Sequence, residues 1–318
     1  MIKEYNELKK VIKNSKTILI TGHVDPDGDA VGSTLAMYNY IITLNKEVDI
    51  ILLKLPNTFS YLHNFDKIKT DESSLKKEYD LLIVLDCGDN TRINIDASNY
   101  SFRHIAVIDH HKTHEYFSDL TILDPKSPSA CEIVYDILKS FKYNIDLQIA
   151  ECLYTGILTD TGSFKNSNVI PASFLVAYEL IKIGVNPNRI SRLSMDMISL
   201  NKLELIKYTY ANMEIINNNI TYIYISKHIL DKYADEENIY EGLVNYGKNI
   251  KGIEVSIFIR QLDEDSYKVS MRSTDKVDVA IISKKYNGGG HTAAAGFEYN
   301  GKLEDIKNNL VNDVESQL

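Results

Sequence analysis

The chain has 318 residues, 44% hydrophobic and 25% charged, which is ordinary for a globular protein and too long for one comfortable core, so two domains are expected. Its net charge of −9 argues against binding long duplex nucleic acid, where affinity comes from neutralising many phosphates, and leaves short nucleotides open. No apolar stretch approaches the ~20 residues of a spanning helix and Met1-Ile2-Lys3-Glu4-Tyr5 does not open a signal peptide, so no membrane partner and a cytoplasmic location are expected.

Lys16 to Thr21 is a β-rich run, and Ala30 to Leu44 carries apolar residues at helical spacing. Glu47 to Leu53, Asp80 to Leu85 and His104 to Ile108 read as further strands, and Cys131 to Phe141, Leu147 to Leu158 and Ala172 to Ile183 as helices. This alternation predicts an α/β fold, a parallel sheet wrapped by helices. Gly184-Val185-Asn186-Pro187 breaks the pattern, and a polar helical stretch, Arg189 to Tyr210, leads onward. Beyond it Thr221 to Ile225, Val255 to Ile259 and Tyr267 to Met271 read as strands and Leu303 to Val314 as a last helix. The expected organisation is a first domain over 1–185, a helical linker over 186–212 and a smaller mixed α/β domain over 213–318. Cys87, Cys131 and Cys152 are widely spaced in apolar contexts and read as reduced core thiols.

After the first strand, His23-Val24-Asp25-Pro26-Asp27-Gly28-Asp29 packs a histidine and three aspartates into seven residues. Carboxylates this close repel one another unless something positive sits between them. Oxygen ligands with one imidazole point to a divalent cation such as Mn²⁺ or Mg²⁺. A calcium loop would need glycine and glutamate where Ala30 and Ala36 stand. The strand ending at Leu85 runs into Asp86, the one ending at Ile108 into Asp109-His110-His111, and the helix ending at Leu158 is followed by Asp160. Singly, Asp86 or Asp160 would suit a helix cap and His110-His111 a satisfied core pair. Together they gather at the carboxyl edge of a parallel sheet, where ligands bind.

In the second domain Arg272-Ser273 follows a strand, and Gly288-Gly289-Gly290 precedes His291. Glycines let backbone N–H groups approach an anion and an arginine can grip a phosphate through paired hydrogen bonds; the other reading is a flexible turn beside a surface arginine. Lys165, in Thr161-Gly162-Ser163-Phe164-Lys165, is a further candidate cation, with a solvated lysine as its alternative.

His23-x-Asp25-x-Asp27-x-Asp29, Asp86, Asp109-His110-His111 and Asp160 resemble, in order, the motifs of the DHH phosphoesterases, named for the Asp-His-His triplet. Asn287-Gly288-Gly289-Gly290-His291 is similar to the signature of the associated DHHA1 domain, with Asn287 in place of the first of four glycines. The overall arrangement most resembles the stand-alone oligoribonuclease and pAp phosphatase (nanoRNase) branch. That resemblance implies two ions, usually Mn²⁺ with Mg²⁺ or Co²⁺ as substitutes. His23, Asp27 and Asp86 would hold one, and Asp29, Asp86, His110 and Asp160 the other, with Asp86 bridging. Asp25 would orient a ligand or a bound water, Asp109 would orient the histidines, and His111 would reach the substrate phosphate. Arg272, Ser273, Gly288, Gly289, Gly290 and His291 would contact the substrate's terminal phosphate or nucleotide. At the position of Lys165 relatives often carry arginine.

The activity implied is hydrolysis of short oligoribonucleotides and dinucleotides such as pApA, and release of phosphate from 3′-phosphoadenosine 5′-phosphate (pAp), by two-metal activation of water. A cyclic-di-AMP phosphodiesterase of the stand-alone DHH type is the nearest alternative, and a nucleotide-binding module without catalysis a remoter one. Inorganic pyrophosphatases share the metal core but lack the glycine-histidine signature. A homodimer is compatible with all of these.

Overall fold

Strands Thr17–Thr21 (β1) and Glu78–Leu85 (β4) are apolar on both faces through Ile18, Leu19, Ile20 and Leu81 to Leu85, so they can lie only in a sheet covered on both sides. The computed structural model, which describes residues 1–234, 239–274 and 276–318, places them side by side and parallel. Glu47–Ile51 (β2), Ile68–Lys69 (β3), Ser101–Asp109 (β5) and Leu120–Leu123 (β6) complete a six-stranded parallel sheet in the order β3-β2-β1-β4-β5-β6. This sheet belongs to the first of two units into which the chain divides, Met1–Met197 and Ile198–Leu318.

Helices Ile2–Asn14 (α1), Gly28–Ile42 (α2), Ala130–Ser140 (α3), Leu147–Asp160 (α4) and Pro171–Ile183 (α5) bury Leu8, Leu35, Ile137, Leu153 and Leu180 in one core with Ile18, Ile20, Leu81 and Ile83. The alternate strand residues Leu19, Leu82, Val84 and Val107 point to the other face, where Tyr79, Cys87, Ile93 and Ile95 cover them. A short helix Pro187–Ser191 (α6) and a π-turn at Arg192–Asp196 close the unit. The three cysteines are buried and free, as their apolar contexts suggested.

Helices α2 and α4 lie close because their contact is built from small residues. A Cβ at Gly32 would stand 2.5 Å from the Cys152 carbonyl oxygen, and one at Gly156 would stand 2.6 Å from Asp29 Oδ1. The crossing therefore sets the positions of Asp29 and Asp160, which end up on facing segments of the two helices. Gly32→Ala is expected to cost about 1–3 kcal/mol of stability by overpacking, read as a lowered Tm. An unchanged Tm would show that the helices separate freely.

In the second unit helix Leu200–Ala211 (α7) starts at Ser199, whose side chain accepts from the Lys202 N–H. Strands Glu214–Ile216 (β7), Ile220–Ile225 (β8), Val255–Asp263 (β9), Ser266–Ser273 (β10), Gly289–His291 (β11) and Ala294–Asn300 (β12) form a mixed sheet in the order β11-β12-β10-β9-β8-β7. Only β8 and β9 pair in parallel. Short helices Lys227–Leu230 (α8) and Leu243–Lys248 (α9) precede β9, and α9 joins α7 through Leu243 and Leu205 over Ile223 and Phe258. Val279–Lys285 (α10) and Leu303–Glu315 (α11) pack Ile282, Ile306 and Leu310 over Ile257, Val269 and Met271. Among the described residues no helix is long and apolar enough to cross a membrane.

Candidate metal centre

Strand β1 pairs with β2 on one side and β4 on the other, so the sheet's winding reverses between β1 and β4. The crevice beyond the carboxyl ends of two such strands is where open α/β sheets bind ligands. His23 follows β1 there, and Asp86 follows β4. Asp86 adopts a left-handed backbone (φ 55°), an uncommon conformation for a non-glycine residue, and its N–H donates to the Ile108 carbonyl at 2.9 Å. Asp27 caps α2, accepting from the N–H groups of Asp29 (2.9 Å) and Ala30 (3.1 Å). Asp29 reaches across to the start of α3, accepting from Ala130 N–H at 2.6 Å and Cys131 N–H at 2.9 Å. Strand β5 delivers Asp109, His110 and His111, and α4 ends on Asp160.

These groups converge on Asp86. One of its oxygens stands 3.4 Å from His23 Nε2 and the other 3.3 Å from His110 Nε2. His23 Nε2 also lies 3.9 Å from Asp27, and His110 Nε2 lies 3.4 Å from Asp160 and 3.9 Å from Asp29. Each of the two imidazoles turns its Nδ1 to a backbone carbonyl, that of Val24 at 2.6 Å and that of Ser127 at 3.3 Å. With Nδ1–H donated in this way, each ring presents Nε2 to the acids, the nitrogen that a cation would take in exchange for a proton. Donor atoms close enough to share a cation occur in the sets His23–Asp27–Asp86, Asp29–His110–Asp160 and Asp86–His110–His111.

Crowded charge shows in the acidities. Burial alone would raise Asp86, but the facing imidazoles of His110 and His23 bring it below the usual carboxylate range. Burial opposes charge on His23 and His110 as well, yet the facing carboxylates carry each imidazole up to about 10. Asp160 is pushed up to about 7 by burial and by the Asp27 and Asp86 charges. Asp29, wholly buried, is raised well above the ordinary value by burial and by Asp86 and Asp160. Asp109, 2.7 Å from His111 Nδ1, raises that imidazole too.

His23, Asp27, Asp86, His110, His111 and Asp160 line a cavity of about 170 Å³, together with Gly88 and Arg92. Asp25 is placed outside it: its carboxylate pairs with Lys54 Nζ at 2.8 Å. Lys165 is exposed, on the turn that follows Asp160. Two residues at the centre were not singled out in the sequence. Arg92 is, among the described residues, the one lysine or arginine lining the cavity, brought there by a tight turn in which Asp89 accepts from the Thr91 and Arg92 N–H groups at 2.9 and 3.2 Å. His114, with no exposed side-chain surface, holds the second oxygen of Asp109 at 2.6 Å. The only sequence signal for it is a third imidazole, three residues after His111.

In the second unit Arg272 is half-buried near the end of β10 and donates to the Met271 carbonyl at 2.9 Å. Both Arg272 and His291 pair with Ala294, from opposite sides, so the two lie on one row across β10, β12 and β11. Ser273 donates through its hydroxyl to the Thr292 carbonyl at 3.2 Å. Gly288 and Gly290 are required by close packing: a Cβ would stand 2.5 Å from Ser283 Oγ and from Ala295 Cα respectively. Gly290 also has φ 139°. Gly289, between them, is exposed.

A family model for the DHH family, N-terminal domain, matches residues 17–157, and one for the DHHA1 domain matches residues 217–318. A probable bifunctional oligoribonuclease and PAP phosphatase NrnA from Streptococcus mutans is 32% identical, over 90% of this chain and 90% of its own. The bifunctional oligoribonuclease and PAP phosphatase NrnA of Bacillus subtilis is 28% identical over 91% of each chain. The crystal structure of an exopolyphosphatase-related protein from Bacteroides fragilis superposes with a TM-score of 0.88 at 28% identity, covering 99% of this chain and 96% of that one. The chain belongs to the DHH/DHHA1 family of phosphoesterases and is a hydrolase.

Proposed function

We propose that this hydrolase is Mn²⁺-dependent, cleaves short oligoribonucleotides such as pApA to mononucleotides, and releases phosphate from pAp. The observation that carries the reading is Asp86, whose two oxygens face two separate imidazoles at 3.3 and 3.4 Å. One of them, Oδ1, is buried and makes no hydrogen bond, which suits a carboxylate built to meet a cation. His23, Asp27 and Asp86 would hold one ion, and Asp29, Asp86, His110 and Asp160 the other, an oxygen and imidazole set that fits Mn²⁺ and accommodates Mg²⁺ or Co²⁺. A pair of divalent ions held there would supply water activation and positive charge for the phosphoryl oxygens.

The protein's own groups supply the rest. Asp109 accepts from His111 Nδ1 and favours the protonated ring, whose Nε2–H is then a donor for phosphoryl oxygens that gain charge. Arg92 offers a planar cation at the cavity wall for the same oxygens. In this reading residues 1–185 carry catalysis, 186–212 connect, and 213–318 bind the substrate's far end through Arg272, Ser273, His291 and the glycine run. The relatives' names, oligoribonuclease and PAP phosphatase, support that substrate class.

Arg272→Ala is expected to raise KM for pApA roughly tenfold or more, the scale of one charge-assisted hydrogen bond, with metal content unchanged. Loss of metal from that variant would contradict the division of labour. The reading as a whole is tested by comparing Mn²⁺-supported turnover of pAp, pApA, a pentaribonucleotide, cyclic-di-AMP and pyrophosphate. Preference for pAp and pApA is expected; preference for cyclic-di-AMP would replace it, and binding of pApA without cleavage would make the chain a nucleotide-binding module.

A further inference from the structure

We propose that Tyr116 is a stacking platform for a nucleobase at the rim of the catalytic cavity. Its side chain is 77% exposed, more than any other large aromatic among the described residues; Phe174, Tyr178 and Tyr210 follow at 56, 55 and 52%. An aromatic ring left this far in water keeps open surface for a flat partner. This ring is also held in place. It stands nearly perpendicular to the buried imidazole of His114, with ring centres 5.4 Å apart at 83°, while Phe117 lies against the same imidazole at 5.6 Å and 29°. His114 is bonded in turn to Asp109, the residue that orients His111.

A second tie puts the ring beside the cavity. The N–H of Glu115, the residue before Tyr116, donates to the Gly88 carbonyl at 2.7 Å. Gly88 lines the cavity, and a Cβ on it would come within 3.3 Å of the His111 side chain. The backbone leading into Tyr116 is thus fixed to the cavity wall. The cavity itself is small, polar and charged, and its imidazoles face carboxylates while the Arg92 guanidinium matches an anion, so it suits phosphate better than a base. A nucleotide whose phosphate sits among His23, Asp86, Arg92 and His111 has its base outside that wall. Tyr116, one residue beyond the tie between Glu115 and Gly88, supplies an exposed aromatic surface near that wall. Stacking on a single ring accepts any base, since all have a π-face. The site would therefore read that a base is present and not which one.

This inference rests on the proposed nucleotide substrate, and its test separates the two. The chain has no tryptophan, so Tyr116→Trp introduces a single tryptophan at the platform, excited selectively over the tyrosines. Titration with 5′-AMP and with 5′-CMP is expected to quench its emission, and ribose 5-phosphate, which keeps the phosphate and lacks the base, is expected not to. Tyr116→Ala is expected to raise KM for pApA roughly tenfold, with kcat held within about twofold, and Tyr116→Phe to behave as wild type. Absence of quenching, equal quenching by ribose 5-phosphate, or an unchanged KM in Tyr116→Ala overturns the proposal. The fluorescence arm needs no turnover. Failure of the wild-type protein to cleave pApA would count against the substrate reading and leave the platform to be judged by the titrations.

Discussion

Asp86→Ala is expected to remove hydrolysis of pAp and pApA together, by about 10³-fold or more in kcat/KM, and to abolish tight binding of both ions. The size of the effect follows from geometry. Asp27 serves one side of the centre and Asp160 the other, while Asp86 faces the imidazoles of both sides at once. Its removal also takes the shared counter-charge from two imidazoles that it holds high. Alanine adds a second cost at this position, since aspartate and asparagine tolerate a left-handed backbone at φ 55° better than alanine does. Asp86→Asn separates the two contributions, because asparagine tolerates that conformation while losing the charge. The asparagine variant should still fold without metal, with its Tm lowered only by the counter-charge taken from the two imidazoles, and should lose activity and metal stoichiometry. Wild-type hydrolysis and a full complement of ions in Asp86→Asn would refute the bridging role.

Strands β1, β4 and β5 are legible in the sequence because parallel strands covered on both faces are continuous apolar runs. The site was legible for the same reason: each run stops abruptly at His23, Asp86 or the Asp109-His110-His111 triplet, and polar residues at strand ends fall on one edge of the sheet. Other elements leave no such mark. Helix α1 is mostly charged or polar and buries only Tyr5, Leu8 and Ile12, so its apolar stripe is one residue wide. Strand β6 has four residues, and β11 and β12 begin with glycine and alanine, whose pairing is settled by β10 and not by propensity. The polar stretch Arg189 to Tyr210 is not continuous. It breaks into α6, the π-turn and α7, and the Ser199 side chain restarts the helix by capping it. Arg92 and His114 escaped notice because each lies in a loop whose course depends on a tertiary contact. Arg92 follows the turn held by the Asp89 carboxylate, and His114 is placed by an aspartate that it shares with His111.

The same crowding of charge makes metal affinity and stability steep functions of pH, in opposite directions. Without metal, His23 and His110 hold protons up to about pH 10, so at neutral pH a cation must displace them. Each displaced proton steepens apparent affinity about tenfold per pH unit, so the product of the two binding constants should rise on the order of a hundredfold per unit between pH 7 and pH 9. Asp160, held near 7, adds to the slope below neutrality. Stability of the metal-free protein runs the other way. Imidazoles raised above their unfolded value near 6.5 stabilise the fold fully below that pH, and the contribution fades as pH climbs through 10. Asp160 and Asp29, raised by burial, stay protonated in the fold after their unfolded counterparts ionise near 3.8, so they too make stability fall, for Asp160 between about pH 4 and pH 7. Asp86 has the opposite sign: it favours the fold above its unfolded value, and that contribution is lost only as the pH falls into acid. The Tm gained on adding Mn²⁺ should therefore be small at pH 5.5 and widen through pH 8.5. Calorimetric titration in buffers of different ionisation enthalpy should show about two protons released at pH 8 as both ions bind. A Tm gain that does not vary with pH, or metal binding without proton release, would mean that the ions bind elsewhere than between these imidazoles and carboxylates.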